Sequence, residues 1–253
     1  MDIVLIGSGN VATVLGRKSL AAGHRIVQVY NRNADHANAL AIRLATTSTS
    51  YISSVERKAD LMIIALRDDA VYHFVKELGE VKSILVHTAG ALSINEVRGS
   101  NKSFGVIYPL QSLRKEIEII PTLSILLDGN NNITKKQLKE FAFSIAENVT
   151  EADDEARIKY HLAATIVNNF TNFLYKQAAS FCEKENISFK ALQPLIEETA
   201  NRLRNTTPQK AQTGPAIRND RVTIEKHQQL LKNYPEILKY YNLFTEEIQK
   251  STL

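Results

Sequence analysis

The spacing of apolar and polar positions divides the chain into two regimes. From residue 2 to about residue 152, short apolar runs alternate with stretches whose apolar residues recur every three or four positions. Residues 2–6 read as a buried strand and 11–22 as an amphipathic helix closed by Gly23, a helix-stop signal. A second strand is expected at 25–30 and a second helix at 35–44. "LMIIAL" (61–66) is a continuous apolar run bounded by charge, the pattern of a central parallel strand covered on both faces. A helix at 69–78, strands at 83–87, 103–108 and 123–127, and a helix at 135–147 after the "DGNNN" turn (128–132) complete this half. Repeated strand–helix–strand units of this length predict a doubly wound parallel sheet.

Beyond residue 152 no strand pattern appears. Helical periodicity dominates over 153–185, 188–204, 221–233 and 235–250, with Asn186 and Pro235 as breaks. One long non-periodic piece, "NTTPQKAQTGPAIRND" (205–220), interrupts it, and a coil of that size in a compact domain is more often functional than idle. The expected architecture is α/β: an N-terminal doubly wound Rossmann domain (1–152) followed by an all-helical C-terminal domain (153–253).

Composition narrows the classes of function. At 253 residues and 28.3 kDa, with 44% hydrophobic and 23% charged residues, the chain can build a real core. Its net charge of +4 is spread without a basic block, which argues against a nucleic-acid partner but suits an anionic small molecule. Cys182 is the single cysteine, so there is no intrachain disulfide; it is expected to be a buried thiol, and no metal site is expected. The chain enters its first strand directly and has no apolar run of the ~20 residues a bilayer requires, so a cytoplasmic protein without membrane attachment is expected.

The chemistry begins in "IVLIGSGNVATVLG" (3–16). Gly7, Gly9 and Ala12 stand at G-x-G-x-x-A spacing, after a strand and opening a helix. Such a turn either simply joins strand to helix or cradles a pyrophosphate: Gly7 for tightness, Gly9 for close backbone approach, Ala12 for strand–helix packing, and free N–H groups facing the phosphates. The βαβ context favours a dinucleotide. The second strand ends in "VYNRN" (29–33), without the carboxylate that would bond ribose hydroxyls. Arg32 offers a fork for a 2′-phosphate, and Asn31 and Asn33 offer hydrogen bonds, so NADP is expected in preference to NAD.

Substrate chemistry is expected beyond the carboxyl ends of the strands, where the chain reads "ALRDD" (65–69), "VHTAGAL" (86–92) and "VIYPLQS" (106–112). Arg67 either lines the cofactor channel or solvates the loop, and His87 is either structural or a proton donor. On the helix from 153, Asp154, Arg157, His161, Thr165, Asn168 and Asn172 fall at helical spacing on one face. The opposite face, with Ile166, Phe170, Phe173 and Leu174, is expected to be core. The uncharged stripe of His161, Thr165, Asn168 and Asn172 suits either a partly buried cleft that orients a carbonyl or amine, or a polar subunit interface.

With these residues in view, the chain resembles the Rossmann superfamily of pyrroline-5-carboxylate reductase, 6-phosphogluconate and β-hydroxyacid dehydrogenases, and deazaflavin-dependent NADP reductases. "IGSGNVA", "NRN" and the Rossmann-plus-helical layout carry the resemblance. More closely, "VIYPLQS", "HLAATIVNNFTNFLY" and "AQTGPAIRND" resemble a bacterial family that joins a Rossmann-like domain to a C-terminal domain of unknown function and is labelled NADP oxidoreductase by homology. The resemblance implies cofactor binding by Gly7, Ser8, Gly9, Asn10, Val11, Asn31 and Arg32, and a homodimer formed through the helical domain. The catalytic lysine of the β-hydroxyacid dehydrogenases has no counterpart: Lys159 lies off the polar face and His161 takes its direction.

Two functions follow as expectations. The first is an NADP(H)-dependent oxidoreductase passing hydride to or from a C=O or C=N carbon of a small, anionic metabolite. In it His161 is the proton donor or acceptor, Asn168 and Asn172 orient the reacting atom, and His87 is the second acid–base candidate. Thr165, Gln212, Thr213 and Gly214 would contact substrate, with Arg218 as anchor for its carboxylate or phosphate. Asp220 either holds Arg218 or caps the following helix. The second is a non-catalytic NADP(H)-binding sensor.

Overall fold

The computed structural model describes residues 1–118 and 122–251. In chain order its strands and helices are β1 (Asp2–Ile6), α1 (Asn10–Ala21), β2 (Arg25–Tyr30), α2 (Ala34–Arg43), β3 (Thr47–Thr49), β4 (Leu61–Ile64), α3 (Asp68–Leu78), β5 (Ile84–His87), β6 (Phe104–Pro109), β7 (Ser124–Gly129), α4 (Asn132–Ile145), β8 (Asn148–Glu151) and α5 (Asp154–Ala164). A π-helical segment, Thr165–Phe170, leads to α6 (Thr171–Lys184), and then come α7 (Gln193–Arg202), α8 (Pro208–Ala211), α9 (Arg221–Leu230) and α10 (Pro235–Lys250). Two compact units result, Met1–Asn169 and Phe170–Leu253.

The first unit is built on one eight-stranded sheet in the order β3-β2-β1-β4-β5-β6-β7-β8. Every neighbouring pair is parallel except β6 with β7. The strand order reverses between β1 and β4, the switch point where open α/β sheets leave a crevice. Side chains alternate across a strand, and the two faces feed separate cores. Ile3, Leu5, Leu61, Ile63 and Val86 pack with Leu15 and Phe141 on one face; Val4, Ile6, Met62, Ile64 and Leu85 pack with Phe74 and Leu78 on the other. That two-sided burial is why the central strands read as unbroken apolar runs.

The expected strands and helices form within a few residues of their predicted bounds. Two strands were not anticipated. β3 ("TST") and β8 ("NVTE") lie at the two edges of the sheet, and their residues are mostly exposed, so nothing in their sequence had to be apolar.

The second unit is all helical among its described residues. Phe173 meets Tyr240 and Phe181 meets Tyr234, edge to face at centroid distances of 5.6 and 5.1 Å. Cys182, Ala216, Ile224 and Leu231 are its buried apolar side chains. The segment 205–220 is less irregular than expected: Thr207 caps the short helix α8, and turns follow. Ile166, Phe170, Phe173 and Leu174, expected as core, are instead 38–58% exposed.

Candidate functional site

The glycine turn sits at the switch point. The backbone N–H of Gly7 donates to the carbonyl of Tyr30 at 2.8 Å, which carries the β1–β2 pairing into the turn. Gly7 has φ +106°, and a Cβ there would stand 2.4 Å from the Ala65 carbonyl oxygen, so no side chain fits. At Gly9 a Cβ would meet nothing within 4 Å, so this backbone borders open space. α1 begins at Asn10 with no side-chain cap, which leaves its first N–H groups directed at that space. The fit to a diphosphate is good: a tight turn, an open approach, and uncapped helix donors.

A cleft of about 1210 Å³ opens beside the turn. Gly7, Ser8, Gly9, Asn31, Arg32 and Arg67 line it, and Asn10 and Val11 are not among its lining residues. The Nδ2 of Asn31 donates to Ser8 Oγ at 2.7 Å, and its Oδ1 accepts from the Asn33 N–H at 2.9 Å, tying the end of β2 to the glycine turn. Arg32 is exposed on the cleft wall. Arg67 is exposed and faces Asp69 at 3.3 Å.

Three expectations are refined here. Asn33 uses its side-chain carbonyl to cap α2, accepting from the His36 N–H at 3.0 Å. Asn10 accepts from the Lys115 N–H at 3.2 Å and so holds the 110–118 loop. Val11 packs against the core, which leaves only its backbone for a ligand. The cleft also includes Ser50, Tyr51, Arg57 and His73, which the sequence did not single out. They arrive on the segments after β3 and on α3, and the edge strand that places the first of them carries no apolar signature.

Farther along the same edge, beyond β5 and β6, a second cluster forms. Tyr108 lies near the end of β6, registered opposite Leu126 of β7. Its Oη and His161 Nδ1 are hydrogen-bonded at 2.9 Å, with ring centroids 5.8 Å apart at an interplanar angle of 72°. Both side chains are half-buried, and burial pushes the Tyr108 phenol above its ordinary pKa. Tyr108 stands within "VIYPLQS"; a polar aromatic next to the last residue of an apolar strand is the signal that marks it in sequence.

α5 is held over this edge by a polar lock. Asp153 caps it through the Ala156 N–H at 2.8 Å. One turn before His161, Arg157 is 1% exposed; it pairs with Asp154 at 2.6 Å and donates to the Leu92 carbonyl. Asp154 also accepts from the Ile94 N–H at 2.9 Å. Burial alone would raise the Asp154 carboxyl, but hydrogen bonds from Ser93, Arg157 and Ile94 outweigh it and hold the group below the ordinary carboxylate range.

His87 is the second candidate proton donor from sequence. It is fully buried at the end of β5, and its Nδ1 accepts from the Ala89 N–H at 3.2 Å. Burial, reinforced by the nearby Arg157 charge, pushes its pKa down to about 4, so the ring is neutral at physiological pH.

Of the expected polar stripe, Arg157 is buried and His161 and Thr165 are half-buried, whereas Asn168, in the π-helical segment, and Asn172 are exposed. In the second unit Gln212, Thr213 and Arg218 are exposed, and Gly214 has φ +109°. Asp220 caps α9, accepting from the Thr223 N–H at 3.1 Å. Among the described residues, no group of three or more His, Cys, Asp and Glu side chains could hold a metal ion, and no helix is long and apolar enough to cross a membrane.

With this geometry in place, comparison with known proteins is informative. A solved structure from Bacteroides fragilis, described as a "putative NADP oxidoreductase", is 36% identical, covers 98% of both chains and superposes with a TM-score of 0.90. Residues 123–248 match the family described as a domain of unknown function, DUF2520, and residues 2–89 match the coenzyme F420-dependent NADP oxidoreductases. The chain belongs to the DUF2520 family of Rossmann-domain proteins. The same fold extends beyond it. A pyrroline-5-carboxylate reductase from Streptococcus pyogenes superposes on this DUF2520 protein with a TM-score of 0.69 at 13% identity, covering 99% of this chain and 98% of its own. An imine reductase from Myxococcus stipitatus, solved with NADP+, has a TM-score of 0.67 at 14% identity, covering 99% and 94%. No curated protein matches the chain.

Proposed function

We propose that this DUF2520 protein is an NADP(H)-dependent oxidoreductase that transfers hydride to or from a C=O or C=N carbon of a small, anionic metabolite, working as a cytoplasmic homodimer. The observation that carries the reading is that one sheet edge presents two different sites: an open glycine-turn cleft at β1 and β2, and a half-buried acid–base pair beyond β6. The solved relative described as an NADP oxidoreductase and the fold shared with imine and pyrroline-5-carboxylate reductases support it.

Gly7, Ser8, Gly9, Asn10 and Val11 would hold the diphosphate, and Asn31, Arg32 and Arg67 the adenosine end. Arg32, with no carboxylate at the end of β2, favours NADP over NAD. Bound there, the nicotinamide supplies or accepts the hydride. His161 gives a proton to the substrate heteroatom in reduction and removes it in oxidation. Thr165, Asn168, Asn172, Gln212, Thr213, Gly214 and Arg218 are assigned to substrate, Arg218 as the anchor for its negative charge. The functional division of the chain is set at residues 152 and 153.

The dimer reading rests on the exposed apolar residues Ile166, Val167, Phe170, Phe173 and Leu174, a patch that a monomer would leave in water. A sedimentation measurement showing a monomer at micromolar concentration would remove it.

The test of activity is NADPH oxidation in the presence of a panel of α-keto acids and cyclic imines. Turnover that falls ~100-fold or more in His161→Gln, with NADPH affinity unchanged, is the expected result. NADPH binding without turnover across the panel favours the sensor alternative.

A further inference from the structure

The assignment of His161 as acid–base group leaves open which ring nitrogen works. We propose that Tyr108 is a positioning residue for His161: its phenol oxygen accepts from Nδ1–H, leaving Nε2 as the nitrogen that exchanges a proton with substrate. This rests on the oxidoreductase reading above.

The argument begins with geometry. Oη of Tyr108 lies 2.9 Å from Nδ1 of His161, and the two rings meet edge to face, so the contact is a directed hydrogen bond. Both partners are anchored from outside the pair. Tyr108 is fixed by the β6–β7 register, and His161 by the Arg157–Asp154 lock one turn earlier on α5.

A third residue makes the approach possible. Gly90, in the "HTAG" turn after β5, is buried against the pair. A Cβ at that position would stand 2.6 Å from His161 Nδ1 and 3.0 Å from Tyr108 Cζ. With the two rings where they stand, a side chain at this position would have to displace them, and the glycine's φ is ordinary.

The chemistry favours this direction of the hydrogen bond. Its partial burial raises the Tyr108 phenol above its ordinary pKa, so it is a neutral hydroxyl at physiological pH. When His161 is protonated, Nδ1–H can donate only outward, to Oη. When Nε2 releases its proton to substrate, the same Nδ1–H···Oη bond persists, and the step needs no rearrangement at Nδ1. The alternative, Tyr108 donating to Nδ1, would have to be broken and remade at every protonation. In the reduction direction the balance is simple: the N–H bond at Nε2 breaks, an N–H or O–H bond forms on the reduced substrate, and neutral His161 recovers its proton from solvent.

The experiment is a nitrogen–proton correlation spectrum of the imidazole rings in wild type, Tyr108→Phe and Gly90→Ala, with His161→Gln to assign the signal. Wild-type neutral His161 should show its proton on Nδ1, the minor tautomer of free histidine. In Tyr108→Phe the signal should revert to the ordinary Nε2–H form. Gly90→Ala, which keeps the hydroxyl but forces the rings apart, should do the same. On any substrate the wild type turns over, Tyr108→Phe should lower kcat ~10-fold with KM nearly unchanged, as for an interaction realised at the transition state. A wild-type Nε2–H tautomer, or a tautomer unmoved in both variants, overturns the proposal. NADPH titrated into the same samples separates the two claims. Absence of the Nδ1–H signature in wild type with NADPH still bound refutes only the Tyr108 role; an intact wild-type signature without NADPH binding refutes the oxidoreductase reading on which that role depends.

Discussion

The two ends of the sheet's carboxyl edge are held by different physics. At the β1–β2 end, the cleft is made by neighbours in sequence: Gly7, Ser8 and Gly9 on one turn, Asn31 and Arg32 on the next. Its polar groups are largely exposed and open to a ligand. At the β5–β6 end, the residues come from positions 87 to 161: His87, Gly90 and Arg157 are buried, and Tyr108, Asp154 and His161 are half-buried. The first end is available for binding and contributes little to folding. The second is part of the fold's own framework, and its chemistry depends on that framework. Substitutions at the two ends should therefore report in different experiments.

The largest effect belongs to the buried end. Arg157→Ala removes a fully buried guanidinium, strands the Asp154 carboxylate that it pairs with, and deletes packing. A loss of about 3–4 kcal/mol is expected, toward the lower end for a broken buried pair because Asp154 is partly exposed. Urea unfolding checks it, and a loss below 1 kcal/mol would remove the lock from the account.

Acid should act at the same end. His87 is held near pKa 4 in the folded chain, against 6.5 as its ordinary value. Between these two values the unfolded chain takes up a proton that the folded chain refuses. Stability is therefore full above 6.5, falls as pH drops toward 4, and stops falling below it, for a total of up to about 3 kcal/mol. Unfolding midpoints measured across this window should slope in wild type and flatten in His87→Asn.

The open end should respond weakly in the same assays. Asn33→Ala deletes the cap of α2 and is expected to cost about 1 kcal/mol. Arg32→Ala, at an exposed position, should change stability by less than about 0.5 kcal/mol. If Arg32→Ala unfolded the protein, the contrast between the two ends would be lost.

The same contrast explains what was legible in the sequence. The glycine turn, the strand that precedes it and the Asn-Arg-Asn end of β2 are local, and local pattern sufficed to find them. The central strands were equally plain, because two-sided burial demands unbroken apolar runs. Tyr108 was missed because its meaning depends on His161, which stands 53 residues away and comes close only through the β6–β7 register and the Arg157 lock. His87 looked reactive for the opposite reason: a strand end is usually open, but this one is closed over by the turn after β5 and by Arg157. Periodicity also failed where the helix itself changed. The π-helical turn after Ala164 cannot be seen in a 3.6-residue pattern, which carries a single α-helical phase through 153–185. The exposed side chains of Phe170 and Phe173 show that an apolar face in sequence need not be core in one chain.

The central claim is that the glycine turn and Arg32 form a cradle for NADP(H). The measurement that tests it most directly is a fluorescence titration of the purified protein with NADPH and, separately, NADH. NADPH should bind clearly more tightly than NADH, and Arg32→Ala should weaken NADPH ~10–100-fold, the worth of one or two charge-assisted hydrogen bonds, while leaving NADH unchanged. Failure of either nucleotide to bind would contradict the account and reduce "GSGNVA" to a turn between a strand and a helix.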